Sequence, residues 1–148
     1  VILLAEELGA GKVVASIPGG ETRADSVRAG LAEMPAEVAA VLVHDAARPL
    51  VSEPVVERVL TGLGEGWDGV VPALPVPDTL KRAEGDAIAE TVDRTGLFAA
   101  QTPQAFVPSV LRSALAGSGD GSDCASFVEA AGGRVRLVEG DPALFKVT

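Results

Sequence analysis

The heptapeptide Val43-His44-Asp45-Ala46-Ala47-Arg48-Pro49 constrains this chain more than any other stretch. An apolar run over residues 39–43 stops at a histidine and an acid; two alanines, an arginine and a proline follow. The pattern predicts a buried strand whose carboxyl end delivers Asp45 and Arg48 into a tight loop. In open α/β sheets, ligands bind at that edge. One carboxylate and one guanidinium there suit a phosphate, a sugar hydroxyl or a metal-bound nucleotide. Taken alone, the heptapeptide reads equally well as a salt-bridged loop corner.

Composition narrows the class. A chain of 148 residues, 47% hydrophobic, is long and apolar enough to bury a real core in one domain. With 3% aromatics, that core is expected to be mostly Val, Leu and Ala. A net charge of −9 argues against a nucleic-acid partner or an anionic membrane surface. The single cysteine, Cys124, excludes an intrachain disulfide and a Cys-based zinc site. The single histidine leaves His-based metal binding and Ser-His-Asp chemistry resting on His44 alone. No metal-ligand set stands out; Asp45 is the one candidate. No segment has membrane-spanning length, and a cytoplasmic location is the default expectation. The chain lacks an initiator Met, opens inside what reads as a helix and ends in an uncapped strand, so sequence is expected beyond both ends.

Strand and helix patterns alternate. Residues 1–9 read as a helix closed by Gly9 and Gly11, and residues 12–17 as a strand broken by Pro18-Gly19-Gly20. Residues 23–34 read as a helix and residues 39–43 as the second strand. Ser52-Glu53-Pro54 reads as an N-cap with Pro in the first turn of a helix that Gly64 and Gly66 end. A strand over 68–74, a helix over 106–115 and a helix capped by Ser122 or Asp123 follow. Strands over 134–138 and 144–147 close the series. Such alternation predicts an α/β sheet of mostly parallel order. Residues 75–95 break the rhythm: two polar, alternating segments flank Glu84-Gly85-Asp86, as in a β-hairpin. A lone two-stranded arm is marginal in water. It either rests on a second copy of the chain or projects as a surface hairpin.

Further candidates surround this frame. Gly20, Glu21 and Ser26 lie between a strand and a helix start, where a ligand can approach backbone; a loop without function has the same pattern. Thr79 and Arg94 stand at the two bases of the hairpin, close enough to share a phosphate. Equally, they read as a strand Thr and a solvated Arg. Gln101-Thr102-Pro103-Gln104 lines a pocket or forms a polar turn. Lys146, in an otherwise apolar strand, faces solvent or a site. Cys124 reads as an inert, small residue near a helix start, and His44 as a hydrogen-bonded structural residue.

Six segments recur together in order and spacing: Gly19-Gly20-x-x-Arg23-x-Asp25-Ser26-Val27, the opening heptapeptide, Asp78-Thr79-x-Lys81, Thr91-Val92-Asp93-Arg94, Gln101-Thr102-Pro103-Gln104 and Lys146-Val147-Thr148. Over residues 13–148 the chain resembles the 2-C-methyl-D-erythritol 4-phosphate cytidylyltransferases of the non-mevalonate isoprenoid pathway. The resemblance implies a Rossmann-like nucleotidyltransferase fold, with a mostly parallel sheet and a hairpin arm near residues 75–95. It implies a cytoplasmic homodimer that joins CTP to methylerythritol phosphate with Mg²⁺ or another divalent cation, releasing pyrophosphate. By the family pattern, Gly20, Glu21 and Ser26 face cytosine and ribose, with Asp45 and Ala46 beside the ribose and the sugar-alcohol phosphate. Arg48, Thr79 and Arg94 bind methylerythritol phosphate, and the arm reaches the partner subunit's site. Thr102 and the Ser122-Asp123 helix start line the same pocket, and Lys146 contacts the attacking phosphate; Arg94 and Lys146 are the expected catalytic pair.

Three departures from the family pattern stand out. The family's opening strand and glycine-rich triphosphate loop have no counterpart before Val13, so these 148 residues alone are expected to be inactive. Cys124 replaces an acid, and Phe145 replaces an Ile. A ribitol 5-phosphate cytidylyltransferase shares most of these motifs. A non-catalytic dimerisation or nucleotide-binding fragment is the alternative of another class.

Overall fold

In the computed structural model, residues 7–117 and 121–148 are described. The elements in chain order are α1 (Arg23–Ala32), β1 (Val41–Val43), α2 (Glu53–Gly64), β2 (Gly69–Pro75), β3 (Leu80–Glu84), β4 (Ala87–Val92), β5 (Phe98–Ala100), β6 (Gln104–Phe106), α3 (Pro108–Ala116), α4 (Cys124–Ala130) and β7 (Val135–Glu139). A single 3-10 turn, Pro142–Leu144, follows β7.

β2 is the spine of the main sheet. β6 and β5 lie along one of its edges, at opposite ends, and β7 lies along the other; β1 flanks β6. Successive side chains of a strand point to opposite faces, and the core divides accordingly. Val71 and Phe106 pack with Leu31, Leu111, Leu115 and Val128 from α1, α3 and α4. Val70 and Ala105 face the other way, onto Val59 and Leu63 of α2. Both faces of the sheet are thus covered by helices.

The strand directions correct the sequence expectation. Only β2 and β7 pair in parallel; β1–β6, β6–β2 and β5–β2 are antiparallel. The sheet is mixed and mainly antiparallel, not the mostly parallel Rossmann-like sheet expected. The cause lies in the connections. Helical crossovers return the chain in its original direction, and β1, β2 and β7 all run the same way. After β2, however, the chain makes the hairpin arm and comes back as β5 and β6, both antiparallel to β2, with β6 set between β1 and β2.

The arm itself matches its pattern. β3 and β4 pair with each other across Gly85-Asp86, with a bulge at Arg82/Ala83. Every residue of the two strands except Leu80 and Val92, paired at the base, is exposed.

Three further expectations shift. Residues 12–17 form no strand; Val14 is 91% exposed, and β-propensity without a neighbouring strand makes no ladder. Phe106 belongs to β6 rather than to a helix, because the residue before Pro108 is held extended and the proline opens α3. Residues 144–147 are not a strand: the Asp141 carboxylate accepts from the Ala143 N–H and starts a 3-10 turn instead. The helix expected over residues 1–9 lies mostly outside the described residues. Among the described residues, no helix is long and apolar enough to cross a membrane.

Candidate functional site

Asp45 follows the end of β1 and is ringed by cations. Arg23 Nη2 lies 3.3 Å from Oδ1, Lys146 Nζ 3.3 Å from Oδ2, and Arg48 Nε 4.0 Å from Oδ2. Partial burial pushes the Asp45 carboxyl up, but the Lys146 ammonium and the Arg23 guanidinium outweigh it and hold the carboxyl below its ordinary value. Three positive charges face one negative charge, in a chain whose net charge is −9.

Backbone and side-chain hydrogen bonds fix this loop. The Asp45 N–H donates to Thr102 Oγ1 (3.0 Å), and that hydroxyl meets His44 Nδ1 (3.0 Å). His44 Nε2 lies 2.9 Å from the Arg48 carbonyl. A carbonyl can only accept, so Nε2 carries a proton, and in the neutral ring Nδ1 accepts from Thr102. The Arg48 N–H closes the turn on the Asp45 carbonyl (2.9 Å). Arg48 Nη1 donates to the Leu144 carbonyl, while its buried Nε has no hydrogen-bond partner among the described residues.

Lys146 arrives from the far end of the chain. The buried Gln101 amide clamps the Asp141 backbone twice, accepting from its N–H and donating to its C=O, both at 2.9 Å. A Cβ on Gly140 would lie 2.3 Å from Gln101 Oε1, so the clamp requires glycine there. The 3-10 turn follows, and the Val147 N–H donates to the Ala47 carbonyl (2.8 Å). Lys146 is thereby held beside Asp45.

On the opposite side, Thr22 and Asp25 form a reciprocal capping box at the start of α1. The Gly20 N–H donates to Ser26 Oγ (3.0 Å), folding the loop onto the helix. A Cβ on Gly20 would lie 2.2 Å from Asp25 Cβ. Arg23, the first residue of α1, reaches out with both arms of its guanidinium: Nη2 to Asp45 and Nη1 to Cys124 Sγ, 3.2 Å away. Burial pushes the Cys124 thiol up, so it stays neutral. Asp123 caps α4 through the Ser126 N–H (2.9 Å) and accepts from the buried Gln104 Nε2 (2.7 Å).

Of the residues singled out in the sequence, Asp45, Arg48, Thr102 and Lys146 converge, with Ala46 in the same loop. Gly20, Glu21 and Ser26 cluster at the start of α1, one guanidinium away. Ser122 is exposed and does not cap its helix; Asp123 does. Thr79 and Arg94 are exposed at the base of the arm, where Arg94 donates to the Val76 and Pro77 carbonyls. No contact joins them to Asp45 among the described residues. Arg23, Gln101 and Gln104 had no individual role in the sequence reading. The Thr22-x-x-Asp25 capping pattern marks Arg23 as the first helical residue; no local signal marks the other two.

A divalent cation does not fit a site built by these residues. No group of three or more His, Cys, Asp or Glu side chains gathers among the described residues. Asp45 is the lone carboxylate of its cluster, and both its oxygens face cations.

Helices on both faces of a mixed sheet, with a cation-ringed carboxylate at the end of β1, define an α/β protein with a site complementary to anions. The family model of IspD, 2-C-methyl-D-erythritol 4-phosphate cytidylyltransferase, matches residues 3–148. The chain belongs to this family. It is 47% identical over 153 residues to a bifunctional enzyme IspD/IspF of Anaeromyxobacter dehalogenans, covering 97% of this chain and 39% of that protein. It is 43% identical over 150 residues to the 2-C-methyl-D-erythritol 4-phosphate cytidylyltransferase of Rubrobacter xylanophilus, covering 98% and 65%. The chain therefore spans less than two thirds of the length of these relatives. Among solved structures, the 2-C-methyl-D-erythritol 4-phosphate cytidylyltransferase of Thermus thermophilus superimposes with a TM-score of 0.83 at 38% identity, covering 99% of this chain and 82% of that one. A 4-diphosphocytidyl-2C-methyl-D-erythritol synthase superimposes with a TM-score of 0.80 at 44% identity, covering 88% and 63%.

Proposed function

We propose that the full-length protein joins CTP and 2-C-methyl-D-erythritol 4-phosphate, giving 4-diphosphocytidyl-2-C-methyl-D-erythritol and pyrophosphate. The observation that carries this reading is the ring of Arg23, Arg48 and Lys146 around Asp45, a surplus of positive charge that suits a phosphomonoester. The match to the 2-C-methyl-D-erythritol 4-phosphate cytidylyltransferase family supports this choice of substrates.

In this reading a phosphate oxygen of the sugar-alcohol phosphate attacks the α-phosphorus of CTP, and the bond to pyrophosphate breaks. A phosphomonoester is already anionic at neutral pH, so no general base is needed. The work of the chain is positioning and neutralisation of charge. Lys146 and Arg94 stabilise the transition state. Arg48, Thr79, Thr102 and Ser122 hold the sugar-alcohol phosphate. Gly20, Glu21 and Ser26 face the nucleoside, and Asp45 and Ala46 lie between the two substrates. The divalent cation travels with the nucleotide as part of the substrate.

The arm supports a homodimer. Its strands are exposed on nearly every residue, and Ile88 is 66% exposed. Thr79 and Arg94 then serve the neighbouring subunit's site. The test is pyrophosphate release by the full-length protein from CTP and Mg²⁺ with either sugar-alcohol phosphate. Release with methylerythritol phosphate is expected, with kcat/KM at least about tenfold above that with ribitol 5-phosphate. No release, or a preference for ribitol 5-phosphate, overturns the reading.

A further inference from the structure

Arg23 joins three elements that are remote in the chain. It is the first residue of α1, its Nη2 lies 3.3 Å from Asp45 after β1, and its Nη1 donates to Cys124 Sγ at the start of α4. Its backbone has little freedom, because the Thr22–Asp25 capping box and the Gly20-to-Ser26 bond pin the turn around it. The Cys124 anchor is a buried, neutral thiol, so it orients the guanidinium without cancelling its charge. Among the described residues, only Asp45 forms an ion pair with it. Arg23 thus connects the 19–26 loop to the Asp45 carboxylate through one guanidinium.

We propose that Arg23 is a positioning residue that couples the two substrate half-sites, so that nucleotide bound at the 19–26 loop raises the affinity for the sugar-alcohol phosphate at Asp45, and the reverse. The inference rests on the substrate assignment proposed above. A planar fork, with one arm on each neighbour, suits this role better than a point charge. Coupling of this kind is reciprocal: each ligand changes the affinity of the other by the same factor.

The experiment is calorimetric titration of the full-length protein with α,β-methylene CTP and Mg²⁺, with and without saturating methylerythritol phosphate, and then in the reverse order. Wild-type protein is expected to bind each ligand about fivefold or more tightly when the other is present, by an equal factor in both orders. Arg23→Ala should bring that factor to within about twofold of unity, and Arg23→Lys should leave it reduced. A wild-type factor of unity, or full coupling in both variants, overturns the inference while the substrate assignment stands. Failure of the wild-type protein to bind either ligand overturns the assignment and the inference with it. If Arg23→Ala does not fold, Arg23→Lys decides alone: coupling equal to wild type overturns the proposal.

Discussion

Lys146 Nζ lies 3.3 Å from Asp45 Oδ2, and the backbone bond from the Val147 N–H to the Ala47 carbonyl ties the two segments together beside that contact. The lysine side chain is 48% exposed, so the ion pair itself adds little stability. In the proposed reaction its value is in placing an ammonium where phosphate charge would develop. Lys146→Ala should lower kcat of the full-length protein by about 10²–10³-fold, with Lys146→Arg retaining part of the rate. The urea midpoint should hardly move. Wild-type kcat in Lys146→Ala would remove the lysine from the site.

Gln101 acts at a distance, through the turn that carries Lys146. Gln101→Ala removes both bonds to the Asp141 backbone and leaves its N–H unpaired by protein, while its C=O keeps the bond from the Leu144 N–H. A loss of about 1–3 kcal/mol in urea unfolding is expected, together with a lower kcat. Unchanged stability would mean that the clamp is dispensable.

The pH response of Asp45 has a defined sign. An unfolded aspartate titrates near about 3.9, and the folded Asp45 titrates lower. Its pairing with Lys146 and Arg23 therefore stabilises the fold above about pH 4 and is lost as pH falls through the lowered folded value. Urea-unfolding free energies measured from about pH 6 down to about pH 2.5 should fall more steeply for wild type than for Asp45→Asn. Parallel curves would contradict the electrostatic account.

An arm that serves the neighbouring subunit makes a prediction about mixtures. Arg94→Ala alone should cost about 2–4 kcal/mol of transition-state stabilisation. Refolding Arg94→Ala and Asp45→Asn chains together creates dimers in which one site has a normal arm and a normal Asp45. Activity should rise to about a quarter of wild type in a random equimolar mixture. A mixture no more active than its parents would place Arg94 in the site of its own chain.

Much of the site was legible because its signals are local. The apolar run before Asp45, the Gly85-Asp86 hairpin and a helix cap at Ser122 or Asp123 each rest on contacts within a few residues; between the last two, the structure selects Asp123. Strand direction was not legible in the same way: alternating patterns look alike whether a strand returns through a helix or through the arm. The final segment departs from its strand-like pattern for a related reason. Leu144, Phe145 and Val147 have strand propensity, but Asp141 and Pro142 turn the chain first, and among the described residues no strand pairs with this segment. Arg23 escaped notice as a site residue because both its partners, Asp45 and Cys124, are distant in the chain.

The opening heptapeptide determined that an acid and an arginine would stand at the end of an apolar strand, since an apolar run must end where charge begins. Tertiary structure alone decided what faces them. Arg23, Thr102 and Lys146 reach Asp45 only because β5 and β6 return antiparallel beside β2, α1 packs over the sheet, and the turn after β7 leads the chain end back to Ala47. Local pattern specifies elements through short-range sterics and hydrogen bonds; the meeting of distant side chains depends on how those elements bury their apolar faces together.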